Sequence, residues 1–264
     1  MKKIIILFGL IALFASCEDI IEIDLNNIEA KVVIEGTIND LEEGCNIKIS
    51  KTVDYFKPGT YPVISNAVVS VSDNNGNTFS FEETEPGIYT AIDFTAIENT
   101  RYLLNVKSEN KNYEAEVTLP QKVNIDFLSF EETPLYMEFD EGYVVNCHFQ
   151  DPLEQTNYYR LIAYNLSDPE KASKSKYLFN DDLVEGNNIL MQWDLDPFKL
   201  NDTVVVEMQT LDKSTYEYYS TLFLLGDNIF GSSNPSNPKT NLDNDALGFF
   251  AAYTISRDTI IIKN

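Results

Sequence analysis

Alternating apolar and polar residues dominate the chain and predict an all-β protein. Before Pro120, short runs with a period of two residues are separated by turn signals such as Asn74–Gly76. Regularly spaced short strands are typical of a β-sandwich, so we expect an immunoglobulin-like sandwich over residues 30–120. The runs are AKVVIEGTI, CNIKISKTV, NAVVSVSD, NTFSFEE, GIYTAIDF, RYLLNVKS and NYEAEVTLP.

The same alternation predicts which side chains form the core of this sandwich. Apolar positions two apart on one strand face the same side of a sheet. The predicted core is Val33, Ile47, Ile49, Val69, Val71, Phe79, Tyr89, Leu103 and Val117.

Residues 121–264 predict a second β-rich domain with one helix. The helix is expected near residues 212–225, because Asp212 suits an N-cap and Tyr216 and Tyr219 recur at helical spacing, as do Leu222 and Phe223. Between the helix and the last strands, Gly231–Asp245 has no periodicity and predicts a recognition loop. The strand candidates are VNIDFLSF, YMEFD, GYVVNCHF, NYYRLIAYN, KYLFN, TVVVEMQTL, GFFAAYTI and DTIIIKN.

The charge of the chain excludes one class of partner. Its 264 residues include 42 acidic and 19 basic side chains, for a net charge of −23. Binding of nucleic acid requires clustered Lys and Arg to neutralise phosphates, so we expect no nucleic-acid partner. A hydrophobic content of 44% supplies enough apolar material for a folded core.

The N-terminus has the order of an export signal. Lys2 and Lys3 precede an apolar run that ends in small residues, and this run is shorter than the roughly 20 residues of a membrane-spanning helix. The segment LFASC resembles the lipobox of bacterial lipoproteins, which implies a signal peptide over residues 1–16, lipid attachment at Cys17 and a lipidated tether over 17–29. The alternative is an unmodified cysteine near a cleavage site.

Export would permit a disulfide between Cys45 and Cys147. Each lies in an alternating run of a different predicted domain, which favours two buried free thiols.

Catalytic motifs are missing from the sequence. His148 is the only histidine, and alternation points it away from Cys147 and Phe149 on a solvated strand face. Zinc catalysis and common hydrolase motifs are therefore not supported, and we expect no enzymatic activity. One stretch, MQWDLDP, could contact a sugar through Trp193, Asp194 and Asp196, although a buried tryptophan in a strand is the simpler interpretation.

Oxygen-rich segments suggest two weaker sites. Asn241, Asp243 and Asp245 have the 1, 3, 5 spacing of a calcium loop, but alanines replace its glycine and its glutamate, so only a looser surface calcium site stays open. No other cofactor is expected.

Thr203 and Thr259 lie in Asp-Thr-apolar triplets that resemble O-glycosylation sites of exported bacterial proteins.

The order of several segments resembles a known group, the Bacteroidetes-type outer-membrane lipoproteins of unknown function encoded beside TonB-dependent receptors. This resemblance implies an N-terminal immunoglobulin-like or carboxypeptidase-regulatory-like sandwich, an outer-membrane location and a partner transporter. Glu18 and Asp19, directly after Cys17, resemble the surface-export signal of lipoproteins in such bacteria and predict a position facing the cell exterior; the alternative is an acidic solvated spacer. The segments are CEDIIEIDL, KVVIEGTI, ISNAVVSVSDNNG, EPGIYTA, RYLLNVKS, FQDPLEQTNYYRLIAY, STYEYYSTL and TNLDNDALGFFAAY.

Three functions follow as hypotheses from the sequence. The first is a binding or accessory lipoprotein of a TonB-dependent uptake system. The second is a surface adhesin or structural protein. The third is a glycan-active enzyme that uses Asp194 and Asp196.

Overall fold

The computed structural model describes most of the chain after residue 29. The described ranges are 30–41, 45–53, 59–91, 93–133, 141–153, 155–168, 176–182, 186–226 and 237–263. The signal peptide and tether predicted over residues 1–29 lie outside them, as does the strand candidate YMEFD.

The described residues form an all-β fold with one helix. The helix, α1, spans Lys213–Gly226, and neither its length nor its composition suits a membrane span. The strands are β1 Val32–Asn39, β2 Asn46–Lys51, β3 Val68–Asp73, β4 Thr78–Glu85, β5 Ile88–Thr90, β6 Thr100–Ser108, β7 Lys111–Leu119, β8 Phe127–Glu132, β9 Tyr143–Gln150, β10 Tyr158–Asn165, β11 Lys176–Asn180, β12 Asn188–Phe198, β13 Thr203–Leu211 and β14 Leu247–Ile261.

Strands β1–β7 build a sandwich because β4 belongs to both of its layers. The first half of β4 pairs with β3, whereas Glu82–Glu85 pair with β5. One layer therefore contains β1, β2 and β5, and the other contains β3, β6 and β7. Ile34 and Ile49 of the first layer share one buried cluster with Val69 and Leu104 of the second. The predicted all-β class and N-terminal sandwich are confirmed, and α1 is the one helix among the described residues, as expected.

Two core predictions are wrong by one residue. Val33 is half-buried and Leu103 is 37% exposed, while their neighbours Ile34 and Leu104 are buried. Each pair consists of adjacent apolar residues, so alternation alone does not decide which residue faces inward. Phe79 is partly buried against the core, and the remaining predicted positions are buried.

A second pair of layers follows Pro120. Strands β11, β10, β13 and the second half of β14 form one layer, and the three-stranded sheet β12–β9–β8 forms the other. Side chains such as Cys147, Leu161 and Met208 fill the space between them in a second buried cluster. This packing explains why β9 and β13 are the most buried strands here, since each lies in the middle of its layer.

Strand β14 joins the two halves of the molecule. Leu247–Tyr253 run parallel to β1, and Tyr253–Ile261 run antiparallel to β13. The two strands GFFAAYTI and DTIIIKN expected from the sequence are thus one continuous strand. Its first half contributes Phe250 and Ala252 to the core of the N-terminal sandwich, although both residues follow the predicted boundary at Pro120.

Helix α1 covers the layer that contains β10, β11 and β14, on the face opposite the second core. The aromatic rings of the helix pack against the sheet. The ring centre of Tyr216 lies 4.9 Å from that of Tyr158, and Tyr218 stacks on Phe249 with ring centres 4.4 Å apart. The guanidinium of Arg160 lies 4.5 Å from the ring centre of Tyr219. Leu222 and Phe223, also expected on the packed face, are 40% and 55% exposed.

Candidate functional site: the outer face of the three-stranded sheet

The three-stranded sheet has an inner face in the second core and an outer face that displays the histidine of the chain. Alternation along β9 places Val145, Cys147 and Phe149 in the second core and turns Val144, Asn146 and His148 to the other side, where Val144 and Asn146 are also buried. We define the outer face by seven residues on three strands. They are Phe127, Ser129 and Glu131 of β8, Asn146 and His148 of β9, and Leu190 and Gln192 of β12.

One cross-strand row of the outer face is apolar and aromatic. Phe127 and Leu190 both lie opposite His148, one on each side. The rings of Phe127 and His148 stack with centres 4.1 Å apart and planes 12° from parallel. Phe127 is 53% exposed and Leu190 is 55% exposed, so this row presents apolar surface to solvent that folding does not bury.

The adjacent row makes hydrogen bonds. Ser129 and Gln192 flank Asn146 on the neighbouring strands. Gln192 donates from Nε2 to Oε1 of Glu131 at 2.7 Å and to Oδ1 of Asn146 at 3.0 Å. Asn146 is only 7% exposed, so this amide forms the floor of the row. The mutual hydrogen bonds fix the amide and carboxylate groups before any ligand arrives.

A hydrogen bond links the two rows. Ser129 Oγ lies 2.9 Å from Nε2 of His148. A hydroxyl beside an imidazole could begin acyl-transfer chemistry, but that reaction also needs a group that orients the imidazole and donors for an oxyanion. Among the described residues, Ser129 is the hydrogen-bond partner of the His148 ring.

Buried polar groups fix the loops at one end of this sheet. Asp151, which is 1% exposed, accepts hydrogen bonds from the Tyr159 hydroxyl and from the backbone N–H of Gly186 at 2.9 Å. Burial raises the pKa of Tyr159 far above its ordinary value, and the hydrogen bond to Asp151 acts in the same direction. Tyr159 therefore stays a neutral donor that holds the segment leading into β12.

The predicted ligand residues Trp193, Asp194 and Asp196 lie on β12, in the same sheet. Trp193 is opposite Val145 in the strand register, and the pairing of β12 with β9 is irregular between Trp193 and Phe198. The side chains of residues 193–196 are outside what the structure describes. Their contact with a ligand therefore stays a prediction.

The predicted calcium residues occupy a turn that is bound to the sandwich. The Asn241 amide donates to and accepts from the backbone of Phe250, at 2.8 and 3.0 Å. Asp243 accepts a hydrogen bond from the backbone N–H of Glu114 at 2.7 Å, and Asp245 is exposed with a φ of 60°. Two of the three side chains thus attach this turn to neighbouring strands. Among the described side chains, no group of three or more His, Cys, Asp and Glu is placed to hold a metal ion.

The other predicted sites are separate from the outer face. Thr203 begins β13 and is half-buried, whereas Thr259 is exposed on β14. Cys17 lies outside the described residues, as do residues 231–236 of the predicted recognition loop. The described remainder of that loop is bound to the fold by the turn at Asn241 and Asp243, and by the 2.9 Å ion pair between Lys239 and Glu217.

The two remaining cysteines are free thiols in different cores, as the sequence predicts. Cys45 lies in the core of the N-terminal sandwich and Cys147 lies beneath the outer face. Burial raises the pKa of Cys147 to about 12, and the nearby carboxylates of Asp258 and Asp126 add to the shift. Burial also raises the pKa of Cys45. Neither thiol is suited to nucleophilic chemistry at neutral pH.

Sequence reasoning found His148 but missed its neighbours on the outer face. The alternation in FLSFEE shows that Phe127, Ser129 and Glu131 share one side of a strand. It does not show which strands pair with β8, and the pairing alone places these residues beside Asn146.

Comparisons with known proteins give a family but no function. No curated protein matches the chain. Among solved structures, the crystal structure of chicken CNTN1 FN1–FN3 domains aligns with 89% of this chain and 67% of its own, at 11% sequence identity and a TM-score of 0.28. A similarity at that TM-score supports no further argument. The model of a family described as "Domain of unknown function (DUF4249)" matches residues 18–259. The chain therefore belongs to the DUF4249 family of uncharacterised proteins.

Proposed function

We propose that this protein is a lipid-anchored outer-membrane protein that binds a ligand as an accessory component of a TonB-dependent uptake system. The apolar leader that ends at Cys17 supports the anchor, and the acidic residues that follow it support a position facing the cell exterior. The order of segments across the mature chain supports the partnership with a transporter.

The observation that carries the binding role is the outer face of the three-stranded sheet. Its exposed apolar row, Phe127 to Leu190, lies beside the hydrogen-bonding row that contains Asn146 and Gln192. Folded proteins bury apolar side chains where they can, so an exposed apolar row beside fixed polar groups is typical of a recognition surface.

Purification from native membranes tests the partnership. The protein carries a C-terminal tag, is extracted in mild detergent, and its partners are identified by mass spectrometry. We expect a large β-barrel transporter in near-equal amount. Recovery of the lipoprotein alone, from membranes in which the transporter is present, would contradict the proposal.

The anchor is tested independently by a Cys17→Ser variant. Lipidation requires the thiol, so the variant should leave the membrane fraction while the wild-type protein stays in it. The mass of the N-terminal peptide checks acylation directly. A wild-type protein whose N-terminal peptide carries no acyl chain would contradict the anchor, whatever the purification recovers.

A further inference from the structure

Two oxygen atoms in the hydrogen-bonding row of the outer face accept no hydrogen bond from a described residue. Oε1 of Glu131 receives a hydrogen bond from the Gln192 amide, and the Asn146 amide approaches it at 3.5 Å. The second carboxylate oxygen of Glu131 and the amide oxygen of Gln192 have no hydrogen bond within the described residues. Both are held in place by the bonds of their own side chains. A ligand on this row must therefore supply donors such as hydroxyl groups.

The adjacent apolar row sets a second requirement. Phe127 and Leu190 lie on either side of His148 and expose more than half of their surfaces. A ligand that crosses both rows needs carbon–hydrogen surface on one part and hydroxyl groups on another. The two rows are two residues apart along each strand, about 7 Å, so one sugar ring with its hydroxyl groups can reach both.

Charge sets the third requirement. None of the seven residues of the outer face is Lys or Arg, and Glu131 adds a carboxylate to a chain with a net charge of −23. An anionic ligand would be repelled by this carboxylate and by the surrounding field. The ligand must therefore carry no negative charge.

We propose that the outer face binds a neutral oligosaccharide. One sugar ring lies with its carbon–hydrogen face on the apolar row, and its hydroxyl groups donate to Glu131 and Gln192. The inference rests on the proposed binding function for its biological meaning, but the binding itself is measured without the transporter.

Calorimetry and an array of immobilised sugars test the ligand class with the full-length mature lipoprotein in detergent. The probes are neutral hexasaccharides of glucose, xylose and mannose, with hexagalacturonate as the anionic comparison. We expect at least one neutral hexasaccharide to bind, and we expect no specific binding of hexagalacturonate. Binding of hexagalacturonate in preference to every neutral probe would overturn the proposal.

Variants locate the bound probe on the protein. Phe127→Ala removes apolar contact and Gln192→Ala removes an acceptor, so each should weaken binding by about tenfold or more. Glu131→Gln keeps the shape but replaces a charged acceptor, and should weaken binding by a similar factor. The matched controls are Phe223→Ala, a 55% exposed aromatic residue on α1, and Glu116→Gln on β7. Both controls should bind as the wild type does.

Each result assigns a cause. Binding that survives all three outer-face variants, or that is lost equally in the controls, would overturn the site. No binding of any neutral hexasaccharide by a protein that unfolds cooperatively on heating would overturn the ligand class. Recovery of the transporter in the same preparation would leave the accessory function standing, so the two failures are distinguishable.

Discussion

Burial is the main determinant of the chemistry of Cys147, and the carboxylates of Asp258 and Asp126 act in the same direction. Its side chain is fully buried beneath His148 and carries a thiol pKa of about 12, compared with an ordinary value of 9.0. Because desolvation favours the neutral thiol, the folded protein holds its proton to a higher pH than the unfolded chain does. The stabilisation from this shift is present below about pH 9 and is lost as pH rises towards 12.

We therefore expect the free energy of unfolding to fall between about pH 9 and pH 12, and to fall less in a Cys147→Ala variant. Urea unfolding at several pH values measures both slopes. Tyrosine ionisation contributes equally to the two proteins, so the difference between them reports on the thiol. Equal slopes would contradict this account of Cys147.

At Gly248, strand β14 leaves no room for a side chain beside β1. Its φ is +91°, and a Cβ at this position would lie 2.1 Å from the carbonyl oxygen of Ile34. Gly76 has the same φ of +91° but has no atom within 4 Å of such a Cβ. The two glycines thus share the same φ but differ in their surroundings.

Gly248→Ala should therefore destabilise the protein by several kcal/mol, whereas Gly76→Ala should cost about 1 kcal/mol from backbone strain. Thermal unfolding of the two variants provides the comparison. Similar losses of stability in both variants would show that β14 can move away from Ile34 without a cost in free energy.

At the scale of elements, helix α1 begins where its cap dictates. Oδ1 of Asp212 accepts hydrogen bonds from the backbone N–H groups of Ser214 and Thr215, at 2.9 and 3.1 Å. These N–H groups have no partner within the helix, so the carboxylate satisfies two of them at once. The cap predicted from the sequence is confirmed.

Asp212→Ala should lower the free energy of unfolding by about 1 kcal/mol, whereas Asp212→Asn should lower it by much less, because asparagine is also a good N-cap. Lys213→Ala is the control, because Lys213 is exposed and makes only a 4.0 Å contact with Glu217. Chemical denaturation measures all three. An equal loss in the Asp212→Asn and Asp212→Ala variants would mean that the amide does not replace the carboxylate as a cap.

Local signals in the sequence predicted most elements, because strand alternation and helix caps are properties of neighbouring residues. Pairings between distant residues were not predictable in this way. The backbone N–H of Ile255 donates to Asp40, 215 positions away, and no local pattern indicates that contact. The outer face was missed for the same reason, since it depends on β8, β9 and β12 lying side by side.

At the scale of the whole molecule, the N-terminal sandwich is incomplete without the C-terminal strand. Phe250 fills the space left by Gly36, where a Cβ would lie 2.8 Å from its ring, and Leu242 and Ala246 belong to the same core. Strand β1 also loses a hydrogen-bonded neighbour if β14 is absent. The core of the N-terminal sandwich therefore includes residues from both sides of the predicted division at Pro120.

We expect a fragment of residues 30–120 to lack cooperative thermal unfolding, and a synthetic peptide of residues 237–255 to restore it. Near-ultraviolet circular dichroism follows both states. A reversed peptide of the same composition is the control. Cooperative unfolding of the fragment alone would contradict the requirement for β14.

The pairing of β1 with β14 also has a consequence for the time at which the protein folds. Among the described strands, synthesis from the N-terminus produces β1 first and β14 last, so β1 lacks its parallel neighbour until residues 247–253 have been made. Contacts between the ends of a chain are slow to form because a long loop must first be ordered. The layer that contains β1 therefore stays incomplete in the nascent chain until the residues of β14 have been synthesised.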